Sequence, residues 1–386
     1  MMDRRQFLRF TAVAPAVAAL PRAFAKAVTP EHRRLLILVE LKGGNDGLNT
    51  VIPYADPAYE RLRSRLAIAR DQVIVLDERT GLHPSLQPML ATWKDDKLAI
   101  VQGLGYPDPN LSHFRSIEIW DTASKSDVYL DDGWLARALT RSPSPKGFAA
   151  DGIVVGSADL GPLAGGRART VALTNPDQFV RNARLAQGEG EGRNAALRHI
   201  LKVENDVQQS ARRIAGGREF KTSFPSGPFG NAVRTAAQLA ANPAGVSAIR
   251  VTLGGFDTHA NQLGVHAALL RQLAEGLAAL RAALEEAGRW DDTLIATYSE
   301  FGRRPRGNQS NGTDHGTAAA HFVLGGAVRG GLYGAPPALG RLDGNGNLPH
   351  AVDFRAYYAT FLEGWWATDA KAVLGGPFEG LNFIAA

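Results

Sequence analysis

Short apolar runs that alternate with longer amphipathic stretches constrain the fold of this chain more than any other feature. Residues 35–41 (LLILVEL) and 98–104 (LAIVQGL) are typical of buried strands. Residues 263–287 are rich in Ala and Leu at the i, i+3, i+4 spacing of a helix, and they lie between two further strand candidates, 248–254 and 293–298. A strand, a helix and a strand over this distance form a βαβ unit. The sequence therefore predicts an α/β fold in which a mostly parallel sheet is sandwiched by helices.

The remaining segments fit the same architecture. Residues 152–156 and 321–328 are further strand candidates, and residues 84–93 precede the 98–104 strand as a helical stretch. The segment 182–240 differs, because it is polar, helical in pattern and rich in Arg, Gln and Ala. We interpret it as a small helical insert or cap within one α/β domain that spans residues 26–386.

The first 25 residues are predicted to be a targeting peptide rather than part of the fold. Arg4 and Arg5 open a twin-arginine motif, a short apolar stretch follows, and Ala23-Phe24-Ala25 supplies a small-x-small cleavage site. We therefore expect the twin-arginine translocase to export the folded protein, which becomes periplasmic or secreted. No other segment approaches the roughly 20 apolar residues of a membrane span, so stable membrane insertion is not expected.

Composition excludes several kinds of function. The chain has no cysteine, which excludes thiolate metal sites, iron–sulfur clusters and cysteine nucleophiles. Much of the formal net charge of +5 lies in the arginine-rich leader, and no block of like charge follows it, so nucleic acid is not an expected partner. Any metal must be held by oxygen and imidazole.

Polar residues gather where the predicted strands end, which is where open α/β sheets bind ligands. Asp46 lies in a Gly-rich turn after the first strand, and an Asx-turn is the alternative interpretation. Ser112, His113 and Arg115 follow the 98–104 strand; there Ser112 or Asn110 could instead cap a helix.

Two more clusters follow later strands. Asp257 and His259 are two residues apart on an extended segment, so both side chains can reach one cation. Two acids with one or two imidazoles near a strand end are costly to bury without a divalent cation. These groups belong to the last cluster, which comprises Glu300, Arg303, Asp314, His315 and His321.

Six segments together resemble the twin-arginine-exported family labelled DUF1501. They are the leader, GGNDGLNT at 43–50, LSHFRS at 111–116, GGFDTH at 254–259, SEFGR at 299–303 and GTDHGTA at 312–318. The resemblance covers essentially the whole mature chain. That family is in turn remotely similar to the alkaline phosphatase superfamily of phosphatases, sulfatases and phosphomutases, which implies an alkaline-phosphatase-like fold.

The resemblance also implies roles for individual residues. Ser112 corresponds to a hydroxyl nucleophile, although His113 beside it could be a ligand with Ser112 merely a cap. Arg115 or Arg303 would pair with the ester oxygens. Glu300 and Asp314 both remain candidates for one ligand position. The residues that would bind two divalent ions (zinc, manganese, calcium or magnesium) are Asp46, Asp257, His259, Glu300 or Asp314, His315 and His321.

The function expected from this resemblance is metal-dependent hydrolysis of a small-molecule phosphate or sulfate ester, with in-line attack by a serine. The alternative is an exported binding or assembly protein that has the fold but has lost turnover. The alternative draws on two departures from the superfamily: the D-x-H spacing of Asp257 and His259, and the position of Asp314-His315 a loop beyond the strand.

Overall fold

A nine-stranded mixed sheet, sandwiched by helices, dominates the computed structural model, which describes residues 34–174 and 218–385. The strands in chain order are β1 (Leu35–Lys42), β2 (Val51–Ile52), β3 (Ile74–Val75), β4 (Gly81–Leu82), β5 (Leu98–Gly105), β6 (Gly152–Val155), β7 (Thr170–Leu173), β8 (Ala248–Gly254), β9 (Thr293–Tyr298), β10 (Gly302–Gly307), β11 (Thr313–Gly316), β12 (Ala319–Leu324), β13 (Gly331–Gly334) and β14 (Val352–Asp353).

The helices connect these strands. They are α1 (Gly47–Thr50), α2 (Pro57–Leu62), α3 (Leu90–Lys94), α4 (His113–Thr122), α5 (Trp134–Arg141), α6 (Pro228–Ala241), α7 (Gln262–Glu286), α8 (Phe354–Ala359) and α9 (Ala370–Leu374). Two 3-10 helices, Pro84–Met89 and Gly161–Leu163, and one π-helical segment, Thr360–Trp365, complete the set. Among the described residues, no helix is long and apolar enough to cross a bilayer.

The main sheet has the order β13-β5-β12-β9-β1-β8-β6-β7, with β14 paired to β5. All its pairs are parallel except those of β12, which runs antiparallel to both β5 and β9. The predicted βαβ unit is confirmed, because β8 and β9 flank β1 on opposite sides and α7 connects them. The expectation of a mostly parallel sheet is confirmed as well.

Alternate residues of β1 face opposite layers, and only Lys42 at its end is exposed. Leu35 and Ile37 pack on the side of α6 and α7, whereas Leu36 and Leu38 pack on the side of α4, α5 and α8. A strand that is buried on both faces requires a nearly continuous apolar run, which residues 35–41 provide apart from Glu40, whose carboxylate pairs with Arg250.

The strand expected at 321–328 spans Ala319–Leu324. The chain turns at Gly325, where a Cβ would lie 2.5 Å from the carbonyl oxygen of Thr293, so a larger residue would not fit this close approach. Much of the expected insert, residues 182–217, lies outside the described residues. Its last part forms α6, whose Phe229 and Val233 belong to the main core.

His321, an expected metal ligand, lies inside the core on β12. It is fully buried, its ring lies 5.7 Å from that of Trp120, and its Nδ1 lies 3.3 Å from the hydroxyl of Thr297. Burial lowers the pKa of His321 to about 3, so the ring is neutral in the folded protein.

We expect His321→Phe to flatten the dependence of stability on acid pH. Below pH 6.5 the unfolded chain takes up a proton on His321 that the folded chain refuses, so stability falls as pH decreases towards 3. The variant should lose about 1.4 kcal/mol per pH unit less than wild type between pH 6 and 4, measured by urea unfolding. Parallel curves for the two proteins would contradict this assignment.

Candidate functional site

The candidate site forms where the carboxyl ends of the parallel strands meet. β1, β8 and β9 run in the same direction, so the loops after Lys42, Gly254 and Tyr298 emerge at one edge of the sheet. β5 has the same orientation and leads to α4. The clusters identified from the sequence around residues 43–47, 110–115, 254–259 and 299–303 therefore come together, as expected.

Arg303 ties these loops together from inside the protein. Its guanidinium is fully buried and donates to four carbonyl oxygens and one carboxylate. The bonds to Gly44, Thr313, Phe256 and Asp257 are 2.6–3.0 Å long. The acceptors belong to Gly43, Gly44, Phe256, Thr313 and Asp257. Each of the three guanidinium nitrogens has an acceptor in these loops, and the group is fully buried, so Arg303 positions the loops and is not open to a substrate.

Gly43 allows two of these loops to touch. It has φ +117°, and a Cβ at this position would lie 2.4 Å from the backbone nitrogen of Asp257. Its own N–H donates to the carboxylate of Glu300 over 2.8 Å. A side chain at Gly43 would separate the loop after β1 from the loop that carries Asp257.

Three imidazoles and one carboxylate converge at this edge. His113, Asp257 and His315 each offer a ligand atom within 4.8 Å of the others. Nε2 of His259 joins them, 3.0 Å from the Asp257 carboxylate and 2.9 Å from Nε2 of His315. Asp257 and His259 are about two-fifths exposed, so solvent reaches the group. We call His113, Asp257, His259 and His315 the histidine cluster.

The other nitrogen of each ring faces an oxygen. Nδ1 of His113 lies 3.0 Å from the Glu300 carboxylate, and Nδ1 of His315 lies 2.8 Å from the carbonyl oxygen of Leu111. Nδ1 of His259 lies 3.4 Å from the Asp314 carboxylate. The oxygens beside His113 and His315 accept hydrogen bonds, so they hold the proton on Nδ1 of these two rings and leave the Nε2 lone pairs directed into the cluster. The negative charge of Asp314 favours the same tautomer of His259.

This arrangement is unfavourable without a positive charge at its centre. A neutral imidazole has one N–H, so rings that donate from Nδ1 present bare lone pairs at Nε2. The Nε2 atoms of His259 and His315 face each other and also the ionised Asp257. A divalent cation among three imidazole nitrogens and a carboxylate would relieve this repulsion, and zinc accepts that set of donors. The residues present thus fit a metal.

The charges at the site favour the same state. Burial would raise the pKa of Asp257, but the hydrogen bond from Arg303 and the charge of Arg303 hold it at about 2, so the carboxylate is ionised. Partial burial lowers the pKa of His315, which keeps its ring neutral near pH 7.

Glu300 and Asp314 both lie behind histidines. Glu300 accepts from His113 and from the backbone of Gly43, and Asp314 accepts from Asn308 Nδ2 at 3.2 Å while facing His259. Each carboxylate therefore orients a ring. Aromatic packing adds to this, since the ring of Phe301 lies 4.9 Å from His113 and 4.3 Å from His315.

Ser112 lies at the rim of the histidine cluster. It is the N-cap of α4, and its exposed hydroxyl makes no capping hydrogen bond. The residues on either side are fixed, because the carbonyl of Leu111 binds His315 and the side chain of His113 belongs to the cluster. Among the described residues its hydroxyl thus has no hydrogen-bond partner, and it lies at the N-terminus of a helix.

Asp46 does not join the cluster. Its carboxylate is fully buried, pairs with both terminal nitrogens of Arg63, and accepts from Gln262 and from the first turn of α1. Burial acts to raise its pKa, but the pairing with Arg63 lowers the pKa overall. These partners leave no open lone pair directed at a cation.

Arg115 also points elsewhere. Its guanidinium binds the carbonyl oxygens of Lys125, Ser126 and Val128, at 2.6–3.3 Å, and lies over the ring of Tyr129. Arg115 therefore fixes the loop that follows α4. With His321 in the core, the structure brings together seven of the eleven expected site residues and the loop-positioning Arg303 and leaves out Asp46, Arg115 and His321.

Three contributors escaped the sequence analysis. Arg63 and Gln262 come from α-helical regions without a local polar motif, and only their meeting with Asp46 in space reveals them. Phe301 lies in the SEFGR motif next to Glu300, and this position beside a candidate ligand is the sequence signal that could have identified it as part of the site.

The family follows from sequence comparison. A model described as "Protein of unknown function (DUF1501)" matches residues 70–373. The chain belongs to this family. A model of the twin-arginine translocation pathway signal sequence matches residues 1–21 and indicates export to the periplasm by the twin-arginine translocase. A search of curated proteins found no match.

Solved structures with some similarity include three exported or hydrolytic proteins. The zinc complex of the C-terminal periplasmic domain of EcEptC from Escherichia coli is 12% identical, with 76% of this chain and 72% of that chain covered and a TM-score of 0.38. The PsFucS1 sulfatase from Pseudoalteromonas sp. is 9% identical, with 90% and 70% covered and a TM-score of 0.39. The phosphonate monoester hydrolase of Agrobacterium radiobacter is 11% identical, with 90% and 79% covered and a TM-score of 0.38. These TM-scores lie below 0.5, so the function proposed below rests on the side chains of this chain.

Arg303→Lys should destabilise the protein. A lysine cannot reproduce the planar fork that reaches five acceptors, so buried carbonyl oxygens lose their donors. We expect a loss of about 3 kcal/mol in the free energy of unfolding, measured with urea. Arg306→Lys, on the same strand but exposed, is the matched control and should change stability by less than about 0.5 kcal/mol. Equal effects would refute the role of Arg303.

Asp46→Asn should lower the stability of the protein and leave its metal content unchanged. Removing one charge of a buried pair leaves Arg63 uncompensated, at a cost of about 3 kcal/mol. The metal content of the folded variant, measured by elemental analysis, should match wild type, whereas Asp257→Asn should reduce it. A variant of normal stability that has lost its metal would make Asp46 a ligand.

Proposed function

We propose that the protein is an exported, metal-dependent hydrolase of phosphate or sulfate esters. The observation that carries the proposal is the convergence of three Nε2 lone pairs, from His113, His259 and His315, on the ionised carboxylate of Asp257. Imidazole-rich ligands favour zinc or manganese over calcium and magnesium, which prefer oxygen. A second ion, which the family resemblance implies, stays a prediction.

A bound divalent cation would supply Lewis acidity, which polarises an ester oxygen and lowers the pKa of a nearby hydroxyl. Ser112 is the proposed nucleophile. Its Oγ would form a bond to phosphorus or sulfur while the bond to the leaving alcohol breaks, and the alcohol takes up a proton as the serine loses one. Water would then hydrolyse the serine ester and release phosphate or sulfate.

The position of Ser112 supports this role. α4 extends over ten residues from His113, so its N-terminus favours an anionic ester and a developing serine alkoxide. The hydroxyl is unpaired within residues 34–174 and 218–385, and both neighbouring residues are fixed to the histidine cluster. A nucleophile held in this way loses little freedom on reaching the transition state.

The test compares variants of the mature protein. Ser112→Ala should keep the metal but lose about a thousand-fold in the rate of hydrolysis of 4-nitrophenyl phosphate or 4-nitrophenyl sulfate with zinc or manganese present. His315→Ala should lose both metal and activity. Ser142→Ala, at an exposed serine at the end of α5, is the matched control and should behave as wild type.

The second candidate is an exported metal-binding protein without turnover. The buried pair of Asp46 and Arg63 favours it, because one ligand of a two-ion site is thereby committed elsewhere. Wild-type protein that binds one equivalent of metal but hydrolyses no ester of either kind would support this candidate against the hydrolase.

A further inference from the structure

A cleft beside the histidine cluster is rich in arginine. It has a volume of about 410 Å³ and is bounded by the end of α2, by β10 and by the loop between β10 and β11. We call it the arginine cleft. Its lining residues include Arg65, Arg304, Arg306, Asn308, Gln309 and Asp314.

The arginines of the cleft form no close ion pair in the part of the chain that the structure describes, and the only acid whose charge is seen to act on Arg304 there is Asp343. Among the described residues, no ion pair is formed by Arg65, Arg304 or Arg306, and Asp314 is the one acid that lines the cleft. Arg65 has only a 3.5 Å contact with the side chain of Asn311. Like charges gathered in a concave space raise its potential, which attracts anions.

Arg304 gives a more specific indication. Its Nε is buried and has no hydrogen-bond partner in the part of the chain that the structure describes. A buried donor without an acceptor costs free energy, and a movement of the Arg304 side chain that exposes Nε to a bound oxygen atom would satisfy it. Guanidinium groups suit phosphate and sulfate, whose oxygens accept two parallel N–H bonds.

The cleft and the histidine cluster share a wall. Asn308 donates from its amide to the backbone carbonyl of His259, at 2.9 Å, and to the carboxylate of Asp314, at 3.2 Å. Asp314 in turn faces Nδ1 of His259 and lines the cleft. A ligand long enough to pass Asp314 could therefore reach both places at once.

We propose that the arginine cleft binds a second anionic group of the substrate, so that the natural ester is a polyanion with several phosphate or sulfate groups. One ester group occupies the histidine cluster while another pairs with Arg304 and Arg306. This inference rests on the proposed function for the reacting group, whereas the binding of an anion in the cleft does not require turnover.

The binding experiment uses mature protein stripped of metal with a chelator, dialysed, and verified as folded by circular dichroism. Inorganic tripolyphosphate, titrated in a calorimeter, should bind at least tenfold more tightly than orthophosphate. Arg304→Ala and Arg306→Ala should each weaken tripolyphosphate about fivefold or more. Arg271→Ala, at an exposed position on α7, is the matched control and should leave binding unchanged.

Arg304→Lys refines the test, because it keeps the charge but loses the Nε donor and the fork. It should recover only part of the affinity lost in Arg304→Ala. Tripolyphosphate that binds no better than orthophosphate, or an Arg271→Ala variant that weakens it as much as the cleft variants, would overturn the proposal.

A kinetic measurement separates this inference from the proposed function. With metal restored, tripolyphosphate should inhibit hydrolysis of 4-nitrophenyl phosphate. Arg306→Ala should raise the inhibition constant about fivefold, whereas Arg271→Ala should leave both the inhibition constant and kcat unchanged. Absence of hydrolysis in wild type would remove the proposed function and the polyanionic ester with it. The calorimetric result would still decide whether the cleft binds polyanions.

Discussion

The buried guanidinium of Arg303 is the interaction on which the candidate site depends. It reaches the loops that follow β1, β8 and β10, which are far apart in the chain, and binds their carbonyl oxygens together with the carboxylate of Asp257. Burying a charge costs several kcal/mol unless hydrogen bonds compensate, and here each guanidinium nitrogen has an acceptor. The result is a rigid base under an exposed cluster of polar side chains.

The charged and titratable side chains fall into two groups, one buried and structural and one partly exposed at the candidate site. Charged pairs that are fully enclosed, such as Arg63 with Asp46 and Arg250 with Glu40, hold segments together inside the protein. The histidine cluster, by contrast, remains partly open to solvent. Glu300 and Asp314 connect the two zones, because each orients a histidine ring from behind. Preorganised rings of this kind are what metal sites in proteins require.

Much of this could be predicted from the sequence, for physical reasons that differ between elements. The apolar run at 35–41 is typical of a strand buried on both faces. Because parallel strands end at one edge of a sheet, the loops with Asp257, Glu300 and Ser112 are then expected at that edge. Local patterns could not show that Asp46 pairs with Arg63, because nothing in the sequence near Arg63 marks it as a buried partner. The same holds for His321, whose place between Trp120 and Thr297 is set by packing across the sheet.

The position of β1 in the sheet has a consequence for the order of events in the cell. Leu36 pairs with Ala248 on one side and with Leu294 on the other. The first strand of the sheet therefore cannot pair until strands that are synthesised roughly two hundred residues later have left the ribosome. Until then a mostly apolar segment remains unpaired within about ten residues of the predicted leader, where it can aggregate or bind chaperones. A pathway that transports only folded proteins suits such a chain, because the leader would engage the translocase after β9 has paired with β1.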